Sequence, residues 1–133
     1  MVTYGDGVAN INIKKLIEFH ERNKAIATMT IVRPPARWGY VKINKNNVLK
    51  FEEKNQLNEG WINGGYFVFD YKIFDYLTDE LTILEREPLE QLAIDNQLVA
   101  FRHHGFWHCM DTIRDRDNLN EIWSSGQAPW KKW

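Results

Sequence analysis

Two aspartates stand at junctions where a carboxylate is well placed to hold a metal ion. Asp6 lies in the glycine turn Gly5-Asp6-Gly7 after a predicted strand end, and Asp111 lies between an aromatic stretch and a predicted helix start. Ligands of open α/β sheets bind beyond the carboxyl ends of strands, and Mg²⁺ binds through one or two carboxylates plus substrate phosphates. The pair is therefore a candidate Mg²⁺ site, although each acid taken singly is more typical of a turn or a helix terminus.

Two further segments carry groups suited to a phosphorylated sugar. Asn63 offers hydrogen-bond donors and acceptors to sugar hydroxyls, and Gly64 with its neighbour Gly65 allows close approach of a ligand. A simple turn explains these residues equally well. Lys54 follows a predicted strand and can meet a phosphate as a point charge, but such a charged cluster is more often a solvated edge.

Charged residues beside prolines form a third group of candidates. Arg33 and Arg37 flank Pro34 and Pro35, which makes a stiff connector with two guanidinium groups suited to phosphate; a solvated loop is the competing interpretation. Glu85 precedes a predicted helix, where it can bind sugar hydroxyls or simply complement the helix N-terminus.

Histidine and cysteine residues do not form a recognisable zinc pattern. The spacing of His103, His104, His108 and Cys109 matches no standard structural zinc site, and neighbouring histidines on a strand point to opposite faces. We expect no zinc site, and we expect Cys109 to be a small buried apolar residue.

Alternating helices and strands must position these residues, which predicts an α/β domain. The apolar positions Ile13, Leu16, Ile17 and His20 predict a helix over 12–24 capped by Asn12. Residues 25–32 form a predicted buried strand, parallel to the first strand at 1–4. The remaining predictions are a hairpin with strands 39–43 and 48–53, a strand 66–69, a short helix 71–77, a helix 88–96, a strand 98–102 and a helix from Thr112.

Composition limits the classes of partner. The 133 residues suit one domain, 1–133, and the net charge of −1 gives no long-range attraction to nucleic acid or an anionic membrane. No apolar run approaches the roughly 20 residues of a membrane span, and the first residues do not form a secretory signal. With a single cysteine, these features favour the cytoplasm.

In combination, the motifs resemble the C-terminal half of the glucose-1-phosphate cytidylyltransferases, a family of sugar nucleotidyltransferases. The resemblance covers essentially the whole chain, and the combination is far more specific than any one motif. The segments that carry it are Tyr4-Gly5-Asp6-Gly7-Val8, Arg33-Pro34-Pro35-Ala36-Arg37, Gly60-Trp61-Ile62-Asn63-Gly64-Gly65-Tyr66-Phe67-Val68-Phe69, Leu84-Glu85-Arg86-Glu87-Pro88-Leu89-Glu90, Gly105-Phe106-Trp107 with Cys109-Met110-Asp111-Thr112, and the ending 125–133.

The resemblance implies a fold and a reaction. The fold is a partial Rossmann-like nucleotidyltransferase fold, a mixed sheet flanked by helices that lacks the N-terminal nucleotide-binding half. The reaction is Mg²⁺-dependent formation of CDP-glucose and pyrophosphate from CTP and glucose 1-phosphate, a step of nucleotide-sugar and O-antigen biosynthesis. The implied roles are Mg²⁺ binding by Asp6 and Asp111, phosphate binding by Lys54, a hexose pocket of Gly39, Asn63, Gly64 and Glu85, and weaker roles for Arg33 and Arg37.

Departures from the family pattern leave alternatives open. Asn55 stands where the family commonly has proline, and the sequence contains no Gly-x-Gly-x-x-Gly or Gly-x-x-x-x-Gly-Lys loop for nucleotide phosphates. We therefore expect little activity from these residues alone. We also expect a homo-oligomer, because an exposed sheet edge and uncovered apolar faces favour association. The alternatives are a non-catalytic sugar-phosphate-binding or oligomerisation module, and a related transferase that uses another base.

Overall fold

The elements are described in a computed structural model that covers residues 1–35, 40–52 and 60–132. Gly39, Arg37 and Lys54 lie outside these described residues, so their predicted roles are not tested by it. In chain order the elements are β1 (Val2–Thr3), β2 (Gly7–Ala9), α1 (Ile13–Asn23), β3 (Ala27–Val32), β4 (Tyr40–Asn44), β5 (Asn47–Glu52), β6 (Ile62–Phe69), a 3₁₀ helix (Tyr71–Tyr76), α2 (Glu87–Ile94), β7 (Leu98–Arg102), β8 (Trp107–Cys109) and α3 (Ile113–Ser124).

A mixed four-stranded sheet forms the centre of the fold, in the order β1-β6-β3-β7. Strand β6 runs antiparallel to both β1 and β3, and β3 runs parallel to β7 with Ala27 opposite Leu98. Strands β1 and β3 therefore point the same way, as predicted, with β6 inserted between them. The predicted α/β class with a mixed sheet and flanking helices is confirmed.

The core lies where this sheet meets α2 and the 3₁₀ helix. Ala27, Phe67 and Leu92 are completely buried, and Ile73 and Leu89 pack beside them. These side chains come from two strands and two helical segments, so burial of their apolar surface holds the layers together. Burial of a Leu or Phe side chain contributes roughly 1.5–3 kcal/mol.

Side-chain caps start the helices α1 and α3. The Asn12 side chain accepts a hydrogen bond from the Lys15 amide at 3.0 Å and starts α1 where the periodicity predicts. Thr112 and Asp115 form a reciprocal capping box at the start of α3. Because Thr112 directly follows Asp111, this cap also fixes the backbone beside that aspartate.

Two short strands were not predicted. Residues 7–9 were expected to be a turn and its exit, and residues 106–111 an aromatic stretch, but β2 and β8 pair antiparallel with Gly7 opposite Cys109. The predicted hairpin is confirmed as β4 and β5, and its turn is shorter than expected, with Lys45 at a positive φ of 51°.

None of the helices in the described ranges is both long and apolar enough to cross a membrane.

Two positions on α2 allow a matched test of the core. Leu92 is fully buried, whereas Ile94 on the same helix is 71% exposed. We expect Leu92→Ala to lower the free energy of unfolding by about 2–5 kcal/mol through lost burial and a residual cavity. Urea denaturation measures the change, and Ile94→Ala, the control, should shift it by no more than about 0.5 kcal/mol. Equal effects of the two substitutions would contradict this placement of the core.

Candidate functional site

The β2–β8 pair brings the two predicted metal ligands to one cleft. The Met110 amide donates to the Asp6 carbonyl at 2.8 Å, so Asp6 and Asp111 leave the same end of the pair from opposite strands. Both line a cleft of about 580 Å³. The other lining residues are Tyr4, Gly7, Pro34, Pro35, Ile62, Asn63, Gly64, Gly65, Trp107, His108, Cys109 and Asp115.

The thiol beside Asp111 has a different environment from the one expected. Cys109 is half-buried rather than buried, and its Sγ lies 3.2 Å from Asp111 Oδ2, to which it donates a hydrogen bond. Burial, with the Asp111 carboxylate as the next cause, raises the pKa of Cys109 to about 11. The prediction of a buried apolar cysteine is therefore wrong, because the residue is a protonated hydrogen-bond donor on the cleft wall.

The chemistry of Asp6 and Asp111 can be compared with what a metal ion requires. Among them, no group of three or more His, Cys, Asp or Glu side chains is arranged to hold a metal ion. Two carboxylates supply hard oxygen ligands, and Mg²⁺ commonly completes its shell with water and substrate phosphates. The donor set at Asp6 and Asp111 therefore fits Mg²⁺ bound together with a phosphate-bearing ligand.

Strand β6 forms the facing wall of the cleft through Asn63 and Gly64. The alternative that these residues form a simple turn is wrong, because they lie inside the strand. A Cβ at Gly64 would lie 2.9 Å from Val32 Cγ1 and 3.1 Å from the Thr30 carbonyl. Close packing against β3 therefore explains the absence of a side chain at Gly64.

Two hydrogen bonds connect this wall to the β2–β8 pair. The Trp107 indole donates to the Gly64 carbonyl at 2.8 Å, and the Tyr66 hydroxyl donates to the Gly7 carbonyl at 3.1 Å. The carboxylates of one wall are therefore held at a defined distance from the amide of Asn63 on the other.

Tyr4 also lines the cleft, and the sequence did not predict it as a candidate. Its hydroxyl donates to the Glu85 carboxylate and accepts from Asn63 Nδ2 at 3.1 Å. Burial and the hydrogen bond to Glu85 raise the pKa of Tyr4 to about 12. Its position directly before Gly5-Asp6 at a strand end was the available signal. Glu85, a predicted hexose-pocket residue, is not among the residues that line the cleft, but it contacts Tyr4, which is.

Arg33, His103 and His104 are not among the residues that line the cleft, whereas His108 is. The Arg33 guanidinium lies 5.0 Å from the centre of the Trp61 ring, whose edge meets His104 with ring centres 5.3 Å apart. The Arg33 guanidinium therefore makes a cation–π contact with Trp61, directly before Pro34, which lines the cleft. His103 follows the end of β7, and its Nε2 lies 3.1 Å from the Phe106 carbonyl.

Comparisons with known proteins agree on one family. The model of the nucleotidyl transferase family matches residues 1–114. The glucose-1-phosphate cytidylyltransferase of Salmonella typhimurium is 44% identical over 133 residues, which is 100% of this chain and 52% of that protein. The mannose-1-phosphate guanylyltransferase catalytic subunit beta of Dictyostelium discoideum is 31% identical over 124 residues, 90% of this chain and 34% of that protein.

A solved structure supports the fold. A crystal structure from Bacillus anthracis, of a protein named as a glucose-1-phosphate thymidylyltransferase, superposes with a TM-score of 0.61 at 20% identity. The match covers 97% of this chain and 54% of that chain. This chain also spans about half the length of the curated cytidylyltransferase that it matches.

Glycine substitutions test whether the Tyr4 ring constrains the cleft wall. Gly65 and Gly126 have positive φ angles of 76° and 74°, but only a Cβ at Gly65 would meet a neighbour, Tyr4 Cδ2 at 2.9 Å. We expect Gly126→Ala to cost about 1–2 kcal/mol from backbone strain alone. Gly65→Ala should cost clearly more, as measured by urea denaturation. Equal losses would show that the ring contact does not constrain Gly65.

The raised pKa of Tyr4 predicts a loss of stability in alkali. Since the folded-state pKa is about 12 and the ordinary value is 10.0, folding favours the protonated phenol. This contribution is complete below the ordinary pKa and is lost as the pH rises towards the folded-state value. The urea midpoint should therefore fall less between about pH 9 and pH 11.5 in Tyr4→Phe than in the unmodified protein. Tyr71→Phe, which alters a 76% exposed tyrosine, is the control and should leave the fall unchanged.

Proposed function

We propose, from the premise that the chain belongs to the nucleotidyl transferase family, that it provides the metal-binding and sugar-phosphate-binding part of a glucose-1-phosphate cytidylyltransferase. The reaction converts CTP and glucose 1-phosphate into CDP-glucose and pyrophosphate. The observation that carries the proposal is the convergence of Asp6 and Asp111 on a cleft whose other wall presents Asn63 and Gly64. The chain spans about half of its curated relatives, so the complete activity is proposed here by similarity.

The cleft residues supply positioning and charge neutralisation. A phosphate oxygen of glucose 1-phosphate attacks the α-phosphorus of CTP in line, a new P–O bond forms, and the α–β phosphoanhydride bond breaks to release pyrophosphate. Mg²⁺, when bound, neutralises charge on the transferring phosphates. Asp6 and Asp111 would hold that ion, and neither needs to exchange a proton with the substrates. Such catalysis depends on orientation and electrostatic stabilisation rather than a covalent enzyme intermediate.

The opposite wall would bind the sugar. The Asn63 amide and the Gly64 backbone offer hydrogen-bonding groups to hexose hydroxyls, and Glu85 adds a carboxylate next to Tyr4. Arg33, supported by the Trp61 ring, is a candidate for the sugar phosphate. Lys54 for the phosphate, Gly39 for the hexose and Arg37 as a further phosphate ligand stay predictions from the resemblance.

The choice of cytosine and glucose rests on relative similarity. The cytidylyltransferase shares 44% of residues over the whole chain, whereas the guanylyltransferase shares 31% over 90% of it.

We also propose that the protein is cytoplasmic and forms a homo-oligomer. The net charge of −1 gives no reason to expect a nucleic-acid or membrane partner.

Ligand titration with matched aspartate variants tests the proposal. We expect calorimetry to show binding of glucose 1-phosphate, and weak binding of CTP that requires MgCl₂, because these residues supply the metal ligands but not the nucleotide-binding half. Asp6→Asn and Asp111→Asn should each weaken the Mg²⁺-dependent CTP binding by about tenfold or more, because each removes a charged metal ligand. Glucose 1-phosphate binding should change little. Glu80→Gln makes the same chemical change at an exposed acid and should have no effect.

The same titration identifies the alternatives. Binding of glucose 1-phosphate without CTP would favour the non-catalytic sugar-phosphate module. Binding of neither ligand would overturn the proposal, as would CTP binding that both aspartate variants retain. Mass spectrometry for CDP-glucose in mixtures with both substrates provides an independent readout of turnover.

A further inference from the structure

We propose that Tyr4 is a positioning residue for hexose recognition, because its hydroxyl joins the Glu85 carboxylate to the Asn63 amide and sets the spacing between them. This inference rests on the proposed function, in which Glu85 and Asn63 contact the sugar. Tyr4 itself lines the cleft. Its role is to present two polar groups, which come from distant parts of the chain, in one fixed arrangement.

The backbone and ring of Tyr4 are held by strand β6. The Tyr4 amide donates to the Gly65 carbonyl at 2.9 Å. The ring packs over Gly65, where an added Cβ would lie 2.9 Å from Tyr4 Cδ2, and its centre lies 5.7 Å from that of the buried Phe67 ring. The backbone hydrogen bond and the packing of the ring together hold the hydroxyl next to Asn63.

The hydrogen-bond directions define the orientation of Asn63. The Tyr4 hydroxyl uses its one hydrogen for Glu85 and accepts from Asn63 Nδ2, while Asn63 Oδ1 accepts from the Gly65 amide at 2.8 Å. These two hydrogen bonds therefore fix which end of the Asn63 amide is oxygen and which is nitrogen. The second Nδ2 hydrogen and the second Oδ1 lone pair are the groups left to serve a ligand.

Glu85 depends on the same hydroxyl. It lies 81 residues from Tyr4 in sequence, just before α2. The Tyr4 hydroxyl contacts this carboxylate directly and, as a phenol, carries the hydrogen that it donates. Without this donor, the carboxylate is free to adopt other rotamers, and its distance from the Asn63 amide is no longer set.

Recognition of the sugar should then lose selectivity as well as affinity. A site with fixed polar groups rejects an analogue that leaves one of them unpaired, because an unpaired buried group is costly. Galactose 1-phosphate differs from glucose 1-phosphate in the configuration of one ring hydroxyl, so it reports on this spacing. A tyrosine that only filled space would not change the ratio of the two affinities.

Calorimetric titration of Tyr4→Phe with both sugar phosphates tests the inference. We expect the affinity for glucose 1-phosphate to fall by about tenfold, the usual consequence of losing a hydrogen bond to a charged group. The preference for glucose 1-phosphate over galactose 1-phosphate should fall with it. Tyr76→Phe is the matched control, since it removes a tyrosine–carboxylate bond of 2.9 Å to Asp95 near the end of α2, and it should change neither quantity.

A second variant, Glu85→Gln, probes the same hydrogen bond without changing Tyr4, and on its own it should also lower the affinity and the preference for glucose 1-phosphate. Glu85→Gln retains the acceptor for the Tyr4 hydroxyl but removes the charge, and combining it with Tyr4→Phe forms a double-mutant cycle. We expect the two losses of affinity to be clearly less than additive. Additive losses, or a Tyr4→Phe protein with unchanged affinity and preference, would overturn the inference while leaving the proposed function intact. An unmodified chain that fails to bind glucose 1-phosphate would instead overturn the proposed function.

Discussion

The site depends on two hydrogen bonds that attach the small β2–β8 pair to strand β6. Trp107 donates to the Gly64 carbonyl and Tyr66 to the Gly7 carbonyl, so each strand of the pair is connected to the central sheet. A three-residue antiparallel pair has little independent stability. The cleft therefore depends on the support that the central sheet gives to the pair next to the carboxylates.

Longer elements could be predicted because their sequence patterns are long enough to be read. The helix that begins after Asn12 shows one-face spacing over about two turns, and the predicted strand 98–102 agrees with the observed β7. Strands β2 and β8 contain three residues each, too few for an alternation to show. Their pairing joins Gly7 to Cys109 across about a hundred residues, which no local pattern encodes.

The same distinction separates the site residues that were found from those that were missed. Asp6, Asp111, Asn63 and Gly64 stand out locally because they are acids or glycine-flanked polar groups, and the fold brings all four to one cleft. Tyr4 has only one local signal, its position directly before Gly5-Asp6, and that signal is weak because aromatic residues in strands usually serve packing. Its role depends on Glu85, a contact between residues 81 positions apart.

The glycines show why residue type alone can mislead about function. Adjacent glycines at 64 and 65 suggested close approach of a ligand, but each has a sufficient structural reason. Gly64 makes room for Val32, and Gly65 combines a positive φ with the face of the Tyr4 ring. The argument for a sugar site therefore cannot rest on their small size. It rests on the oriented Asn63 amide, the carboxylate behind Tyr4 and the two aspartates opposite, an arrangement that a purely structural turn would not require.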